Sequence, residues 1–339
     1  MKYLIIASFA FLTLACNSTK GQTDGNSKTM SRVDYANTIT SEDLKTHLYT
    51  FADDKMQGRM TGEPGQKMAA TYLKDFYVKQ GIIAPRGADN YFQEIPSSYF
   101  GRSNKYGDSE NVVAFIPGSE KPNEIIVLSA HYDHVGTKGN EVYNGADDDG
   151  SGTVSLLEIA EAFQKAVQDG NGPKRSILFL HVTGEEIGLY GSKYYTEHPL
   201  FPLENTVCNL NTDMVGRIDP DKIDTPNYIY LIGSDKLSQD LHDLSEMINE
   251  EYIGLELDYT YNDDNDPNRF YYRSDHYNFA KHNIPIIFYF NGVHEDYHKP
   301  TDTPDKIEYE LMAKRAQLIF QTAWEVANRE ERITADKLK

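Results

Sequence analysis

The stretch IIVLSAHYDH, residues 125–134, decides the fold class of this chain. It begins as a continuous, partly β-branched apolar run and ends in two histidines and an aspartate. An uninterrupted apolar run is typical of a strand that is buried on both faces, as in parallel sheets covered by helices. Polar residues at the end of such a strand belong at the carboxyl edge of the sheet, where ligands bind in open α/β folds.

On either side of this strand, segments with strand and helix patterns alternate. The pattern predicts one α/β domain over residues 36–332, with three layers: a mostly parallel mixed central sheet and helices on both faces. The other predicted strands are residues 111–116, 176–182, 207–211, 228–232 and 284–290. The predicted helices are residues 41–56, 66–80, 151–166, 189–197, 237–250 and 307–328.

Histidine and carboxylate residues follow most of the central strands. They are His131, the Asp147–Asp149 run before a helix, Glu185-Glu186, Asp213, and His298 after the last strand. Alone, each has an ordinary alternative: a structural histidine, a helix N-cap or a solvated helix start. Together, two histidines and three carboxylates at one rim are the donor set for a pair of zinc ions that share one carboxylate.

Five of these segments resemble the co-catalytic di-zinc exopeptidases, a family that includes secreted bacterial leucyl aminopeptidases. Glutaminyl cyclases and the catalytic domain of glutamate carboxypeptidase II are its relatives. The matching segments are residues 129–133, 145–152, 183–192, 209–214 and 296–303, with further support from 273–276. The resemblance covers roughly residues 40 to 330 and implies the three-layer fold of zinc exopeptidases.

The resemblance implies two Zn²⁺ ions and a ligand for each matching position. His131 and Asp213 would hold one zinc, and Glu186 and His298 the other, with Asp147 bridging the two.

The resemblance also implies the residues around the metals. Glu185 would be the general base, and Tyr297 would stabilise the tetrahedral oxyanion. Asp133 would orient the first histidine ligand, as ligating imidazoles require. Asp148 is expected beside the ligands, joined to Asp147 by a cis peptide bond.

The activity expected from this site is removal of N-terminal residues from peptides by direct attack of water. No G-x-S-x-G motif supports a serine mechanism. A glutaminyl cyclase would need a tryptophan-lined pocket, and the single tryptophan, Trp324, falls in the terminal helix. A dipeptidase or carboxypeptidase would need a cation for the substrate carboxylate, with Arg217, Arg269 and Arg273 as candidates. A non-catalytic peptide-binding lipoprotein is the alternative outside the enzymes.

The acidic and aromatic loop 257–273 precedes the last strand. It either shapes the substrate pocket or is a solvated surface loop, and the sequence leaves both open.

The N-terminus is expected to be processed. Lys2 and the apolar run of residues 3–14 are typical of a signal peptide, and the run ends in Ala15-Cys16, which resembles a bacterial lipoprotein cleavage box. Residues 1–16 would then be the signal, Cys16 the lipidated residue, and residues 17–35 a flexible tether. The protein would be exported to the periplasm or cell surface and touch the membrane only through this anchor. Ordinary signal cleavage, or a buried thiol, is the alternative.

The excess of acidic over basic residues limits which binding partners are expected. The chain has 33 basic and 52 acidic residues, a formal net charge of −19. Because this charge repels phosphate backbones, nucleic acid is not an expected partner. Peptides are the expected substrates, and the chain is expected to be a monomer. With Cys16 lipidated, Cys208 has no partner for a disulfide.

Overall fold

The computed structural model describes residue 1 and residues 30–88, 90–101 and 105–338. The helices are α1 (Arg32–Ala36), α2 (Ser41–Phe51), α3 (Pro64–Gln80), α4 (Gly152–Gln168), α5 (Tyr190–Glu197), α6 (Ser234–Leu237), α7 (Gln239–Ile248), α8 (His276–Ala280) and α9 (Tyr309–Asn328). The strands are β1 (Phe92–Ile95), β2 (Ser109–Ile116), β3 (Lys121–His131), β4 (Thr137–Lys138), β5 (Glu141–Val142), β6 (Arg175–Val182), β7 (Thr206–Thr212), β8 (Tyr228–Ile232), β9 (Glu256–Asp258) and β10 (Ile286–Phe290).

Eight strands form one mixed sheet in the order β1-β2-β6-β3-β7-β10-β8-β9. The four central strands β6, β3, β7 and β10 run parallel to one another. The outer pairs β1–β2, β2–β6 and β10–β8 are antiparallel, and β8–β9 is parallel. The predicted α/β class with a mixed central sheet is therefore confirmed.

Apolar side chains on both faces of the central strands explain why these strands have no polar alternation. In β3, Ile126 and Leu128 pack into a core cluster that also contains buried residues of α2, α3, α4 and α9. Ile125 and Val127 point the other way, into a cluster shared with Tyr195 of α5 and residues of α8. Burial on both faces requires an apolar residue at nearly every position, as the sequence has.

The expected tether and domain boundary, between residues 35 and 36, lies too late in the chain. Helix α1 starts at Arg32 behind a capping box formed by Ser31 and Asp34. Tyr35 is fully buried and stacks on Trp324 with ring centroids 5.5 Å apart. At the other end, Ile333 is 1% exposed, so the core extends past residue 332. The aromatic ring of Tyr35 anchors this segment, whereas composition alone suggested a linker.

Helix α2 ends at Phe51, earlier than the expected residue 56, because the chain must turn towards the site. A short 3₁₀ segment follows, and Gly58 within it has φ +64°. A β-carbon at Gly58 would lie 2.3 Å from the carbonyl oxygen of Gly136, so only glycine fits. The turn buries Arg59, whose guanidinium donates to the carbonyl oxygens of Phe51, Tyr132, Asn144 and Gly145. Arg59 thereby ties the end of α2 to the loops that carry site residues.

The predicted signal peptide, its Cys16 and most of the predicted tether lie outside the described residues. Within the part of the chain that is described, no helix is both long and apolar enough to cross a membrane. Cys208 is buried in β7 as a free thiol, and burial raises its pKa to about 12.

Candidate metal centre

The parallel strand ends gather most of the predicted site residues at one edge of the sheet. His131 is the last residue of β3, and Asp213 directly follows the end of β7. Glu185 and Glu186 follow β6 by a few residues, and the loop after β10 carries His298. Because the four strands run in the same direction, these segments meet although up to 167 positions separate them in the sequence, from His131 to His298.

One group of potential metal ligands surrounds His131. Its Nε2 lies 3.1 Å from Oδ1 of Asp148 and 3.5 Å from Oδ1 of Asp213. All three residues are buried. The second carboxylate oxygen of Asp213 accepts a hydrogen bond from the Ser274 hydroxyl at 2.5 Å, which fixes its orientation.

A second group forms around His298. Its Nε2 lies 3.0 Å from Oδ2 of Asp148 and 3.1 Å from Oε2 of Glu186. The carboxylate of Asp148 therefore lies between the two groups, with one oxygen towards His131 and the other towards His298.

The family resemblance implied Asp147 in this bridging position, and that assignment is wrong. The Oδ1 of Asp147 accepts hydrogen bonds from the backbone N–H of Gly216 at 2.7 Å and from the Ser151 hydroxyl at 2.9 Å. Its Oδ2 lies 3.1 Å from Nε2 of His294. Asp147 thus braces the loop behind the site, and Asp148, expected only beside the ligands, occupies the centre.

The predicted cis peptide bond is displaced by the same single residue. It joins Asp148 to Asp149, not Asp147 to Asp148. Within this run the backbone of Asp148 and Asp149 is not helical, with ψ of 98° and 50°. Three consecutive aspartates look alike in sequence, so only the backbone path determines which carboxylate faces the histidines.

Asp149 has a structural role that the sequence did not reveal. Its Oδ2 accepts the backbone N–H of His131 at 3.1 Å, and its Oδ1 accepts those of Gly152 at 2.9 Å and Met214 at 3.1 Å. It lies near His131 and Asp213 as a ligand would, but three backbone donors already occupy its oxygens. Asp149 therefore joins the end of β3, the start of α4 and the end of β7.

Asp302 was likewise missed as a positioning residue. It is fully buried, and its carboxylate accepts the backbone N–H groups of Asp147 and Asp148 at 3.0 to 3.2 Å. Burial, with the neighbouring charge of Asp147, raises its pKa to about 6. Its only sequence signal was its place in the segment after His298.

Asp133 lies where the sequence analysis expected it, but it contacts His131 differently. The His131 Nδ1 lies 3.1 Å from the backbone carbonyl oxygen of Asp133 and 3.8 Å from its carboxylate. That carboxylate accepts the Thr61 hydroxyl at 2.7 Å and the backbone N–H of Glu185 at 3.2 Å. Asp133 therefore links the loop of His131 to the loop of Glu185.

Glu185 borders a cleft of about 370 Å³ beside the metal-binding residues. Burial raises its pKa well above the usual value, and the charges of Asp213, Asp275 and Glu186 act in the same direction, opposed by His131. A raised pKa brings a carboxylate closer to the operating pH, where one group can both accept a proton and return it.

The remaining wall of the cleft is largely apolar and aromatic, formed by Met214, Phe270, Phe288, Phe290, Val293 and Tyr297, with Arg273 and Ser274 at its side. Tyr297 stacks on His298 with centroids 3.9 Å apart. Burial and the nearby carboxylates raise the pKa of its phenol well above the usual range, so the phenol stays protonated.

Loop 257–273 contributes to this wall through only part of its length. Phe270 and Arg273 line the cleft. Asp263 and Asp264 are exposed, and neither lines the cleft. Asp264 forms an ion pair with Lys236, with 2.6 Å between the charged atoms. Both interpretations of the loop are therefore correct for different residues.

The donor set fits metal cations. Oδ2 of Asp148, Oε1 of Glu186 and both ring nitrogens of His134 are buried, and their close contacts with one another and with His298 lack the alignment of hydrogen bonds in the described structure. Among the described residues, no lysine or arginine forms an ion pair with Asp148, Asp213, Glu185 or Glu186. Buried carboxylates gathered without a counter-cation are unfavourable, and mixed imidazole and carboxylate donors are those that zinc accepts.

Comparison with known proteins identifies a family. The sequence profile of peptidase family M28 matches residues 111–323, which is more than half of the chain. A relative named leupeptin-inactivating enzyme 1, from Streptomyces exfoliatus, is 29% identical over 265 residues, 77% of this chain and 51% of that protein. A probable zinc metalloprotease of Pyrenophora teres f. teres is 38% identical over 122 residues, 33% of this chain. The chain spans only 23% of the length of the second relative and about half of the first.

The fold is shared with solved structures. The LapA aminopeptidase of Legionella pneumophila superposes with a TM-score of 0.68 at 21% identity, over 88% of this chain and 75% of that one. At this identity the likeness establishes the three-layer fold alone.

Proposed function

This chain belongs to peptidase family M28, and from that premise we propose that it is a zinc-dependent aminopeptidase that removes N-terminal residues from peptides. One observation carries the proposal. The carboxylate of Asp148 lies between a His131–Asp213 group and a Glu186–His298 group, beside Glu185 and an open cleft. Two cations sharing one carboxylate, with a free base next to them, form the arrangement used for hydrolysis by activated water.

In this proposal each residue has a stated role towards two zinc ions. His131 and Asp213 would hold the first, Glu186 and His298 the second, and both would share the carboxylate of Asp148. Zinc bound there would supply Lewis-acid chemistry, which polarises a carbonyl group and lowers the pKa of water towards ~7.

The proton transfers fall to Glu185. Its carboxylate takes a proton from the attacking water while the new C–O bond forms. It returns that proton to the leaving nitrogen as the C–N bond breaks. The protonated phenol of Tyr297 faces the same cleft and donates a hydrogen bond to the oxyanion of the tetrahedral intermediate.

The cleft favours the N-terminal end of a peptide with an apolar first residue. The carboxylates of Glu185 and Asp213 attract a free ammonium group, and Phe288, Phe290 and Met214 provide an apolar wall. A glutaminyl cyclase is not favoured, because the only tryptophan of the chain, Trp324, stacks on Tyr35 and Phe163 away from the cleft.

Dipeptides remain candidates within this activity because of Arg273. It lines the cleft, and no ion pair is formed by its side chain within the described structure. Arg217, in contrast, is paired with Asp296 at 3.1 Å. A short peptide with a free carboxylate would find Arg273 available.

Hydrolysis of a panel of aminoacyl-p-nitroanilides, of N-acetylated analogues and of dipeptides with free or amidated carboxyl ends tests the proposal. We expect turnover of free-amine substrates with apolar first residues, loss of turnover with chelator and recovery with zinc. Dipeptides with a free carboxyl end are expected to have a higher kcat/KM than their amides. Equal cleavage of acetylated and free substrates, or turnover that resists complete metal removal, would contradict an aminopeptidase of this kind.

We also propose export of the chain and lipid anchoring at Cys16, on the basis of residues 1–16. In a bacterial host fed a labelled fatty acid, the full chain is expected to carry the label and to fractionate with membranes. Cys16→Ala is expected to lose the label, and Cys208→Ala, the matched control, to retain it. Equal labelling of the wild type and the Cys16→Ala variant would disprove the anchor.

A further inference from the structure

His134 is an imidazole at the centre of the site to which the proposed mechanism gives no role. It lies three residues after His131 and is fully buried. Its backbone N–H donates to the carbonyl oxygen of Arg59 at 3.2 Å, which fixes the loop. The ring packs against Gly145, where a β-carbon would lie 2.5 Å from its Cγ. Only a glycine at position 145 therefore leaves room for the imidazole ring of His134.

The His134 ring faces one carboxylate oxygen of Glu186 and His298 faces the other, and the two imidazole rings lie edge to face with centroids 5.7 Å apart. Its Nδ1 lies 2.7 Å from Oε1 of Glu186 and 3.9 Å from Oδ2 of Asp148. The other oxygen of Glu186, Oε2, is the one next to His298. Donor atoms of His134, Asp148 and Glu186 all lie within 4.8 Å of one another.

Each of these three residues also has a buried polar atom without an aligned hydrogen bond to any other described residue. The Nδ1 of His134, Oδ2 of Asp148 and Oε1 of Glu186 are buried, and none of them has an aligned hydrogen bond in the described structure. A histidine that serves only the core normally has a partner for a ring nitrogen, as His181 has in Tyr77 at 2.7 Å. One imidazole and two carboxylates that converge in a buried place without aligned hydrogen bonds are a set that a bound cation would satisfy.

We propose that His134 is an additional protein ligand of the zinc held by Glu186 and His298. That position then has four protein ligands: His134, Asp148, Glu186 and His298. The other position has three: His131, Asp148 and Asp213. Zinc sites with four protein ligands are closed, whereas catalytic sites keep a position open for water.

The shape of the cleft agrees with this asymmetry. His131, Asp148, Asp213 and the base Glu185 line it, whereas His134 and Glu186 do not. The open position therefore faces the cleft, whereas Asp148 is the only one of the four ligands of the closed position that lines it. The inference rests on the proposed metal centre, and it assigns water activation to the His131 position and a mainly structural role to the His134 position.

Metal stoichiometry measured across a chelator series tests the inference in the wild-type protein. After loading with zinc, one equivalent is expected to leave at low chelator together with activity. The second is expected to remain until the free zinc concentration is at least about 10-fold lower. Wild-type protein that binds no zinc would disprove the proposed function itself. Two equivalents that leave together would disprove only the asymmetry.

Two variants test His134 directly, by zinc dissociation constant and by the visible absorption of the cobalt-substituted protein. In His134→Ala and in His134→Asn, the tightly held equivalent is expected to bind about 100-fold more weakly, with a changed cobalt spectrum. Asn retains an N–H donor at a similar position, so full recovery of affinity in His134→Asn would show that His134 only donates a hydrogen bond to Glu186. His282→Ala, at an exposed histidine, is the control and should match the wild type. Unchanged affinity and spectrum in both His134 variants would overturn the proposal.

Discussion

Replacing Glu185 with Gln lowers kcat by about 10³-fold, while the protein keeps its fold and its zinc. The amide retains the shape of the side chain but cannot take a proton from water. Glu185 does not belong to either group of metal ligands, so the metal content of the variant should equal that of the wild type. Turnover of an aminoacyl-p-nitroanilide, together with zinc content by elemental analysis, measures both effects.

The control for this variant is Glu331→Gln, at an exposed glutamate outside the site. It should have wild-type kcat and KM. If Glu185→Gln kept a kcat within a few fold of the wild type, the base would have to be another group, and the proposed division between Glu185 and Glu186 would fail. If it lost zinc as well, Glu185 would be acting as a ligand.

Replacing Asp148 with Asn removes activity and weakens zinc binding by at least about 100-fold. The reason is that Asp148 places one oxygen 3.1 Å from His131 and the other 3.0 Å from His298. The amide has one donor end and no negative charge, so it cannot bridge two cations. Zinc content after dialysis and kcat/KM measure the loss.

The adjacent residue provides the matched control. In Asp147→Asn, zinc binding should be retained, because that carboxylate contacts Gly216, Ser151 and His294 instead of either group of metal ligands. The variant should lose about 1 to 3 kcal/mol of unfolding free energy, the cost of disturbing buried hydrogen bonds. The opposite outcome, in which Asp147→Asn loses zinc and Asp148→Asn keeps it, would restore the sequence-based assignment.

The segments that carry the site were predictable because each has a local signal. Strand β3 is visible as an apolar run, and its end at His131 follows from where that run stops. Glu186, Asp213 and His298 follow strands that can be found in the same way. Parallel strands bring their carboxyl ends together in any α/β fold of this type, so the meeting of these residues needed no knowledge of long-range contacts.

Other features depended on contacts between segments far apart in the chain. Tyr35 is part of the core because it stacks on Trp324, nearly three hundred residues away, and no local pattern encodes that contact. Helix α2 ends early because Arg59 has to reach four carbonyl oxygens, one at the end of α2 and three in two distant loops. The role of Asp302 likewise follows from its distance to a loop 155 residues earlier.

The sequence by itself determined the α/β class, the edge of the sheet that carries the site, and the set of residue types gathered there. The tertiary structure alone decided which of three consecutive aspartates faces both His131 and His298, and that His134 contacts the oxygen of Glu186 that does not face His298. The physical reason is that the uninterrupted apolar run of a strand buried on both faces is a local property of the sequence. The direction of a carboxylate in an irregular loop is instead set by hydrogen-bond partners that the folded chain brings from elsewhere. The backbone N–H of Gly216 donates to Asp147, and the carboxylate of Asp302 accepts the backbone N–H groups of Asp147 and Asp148.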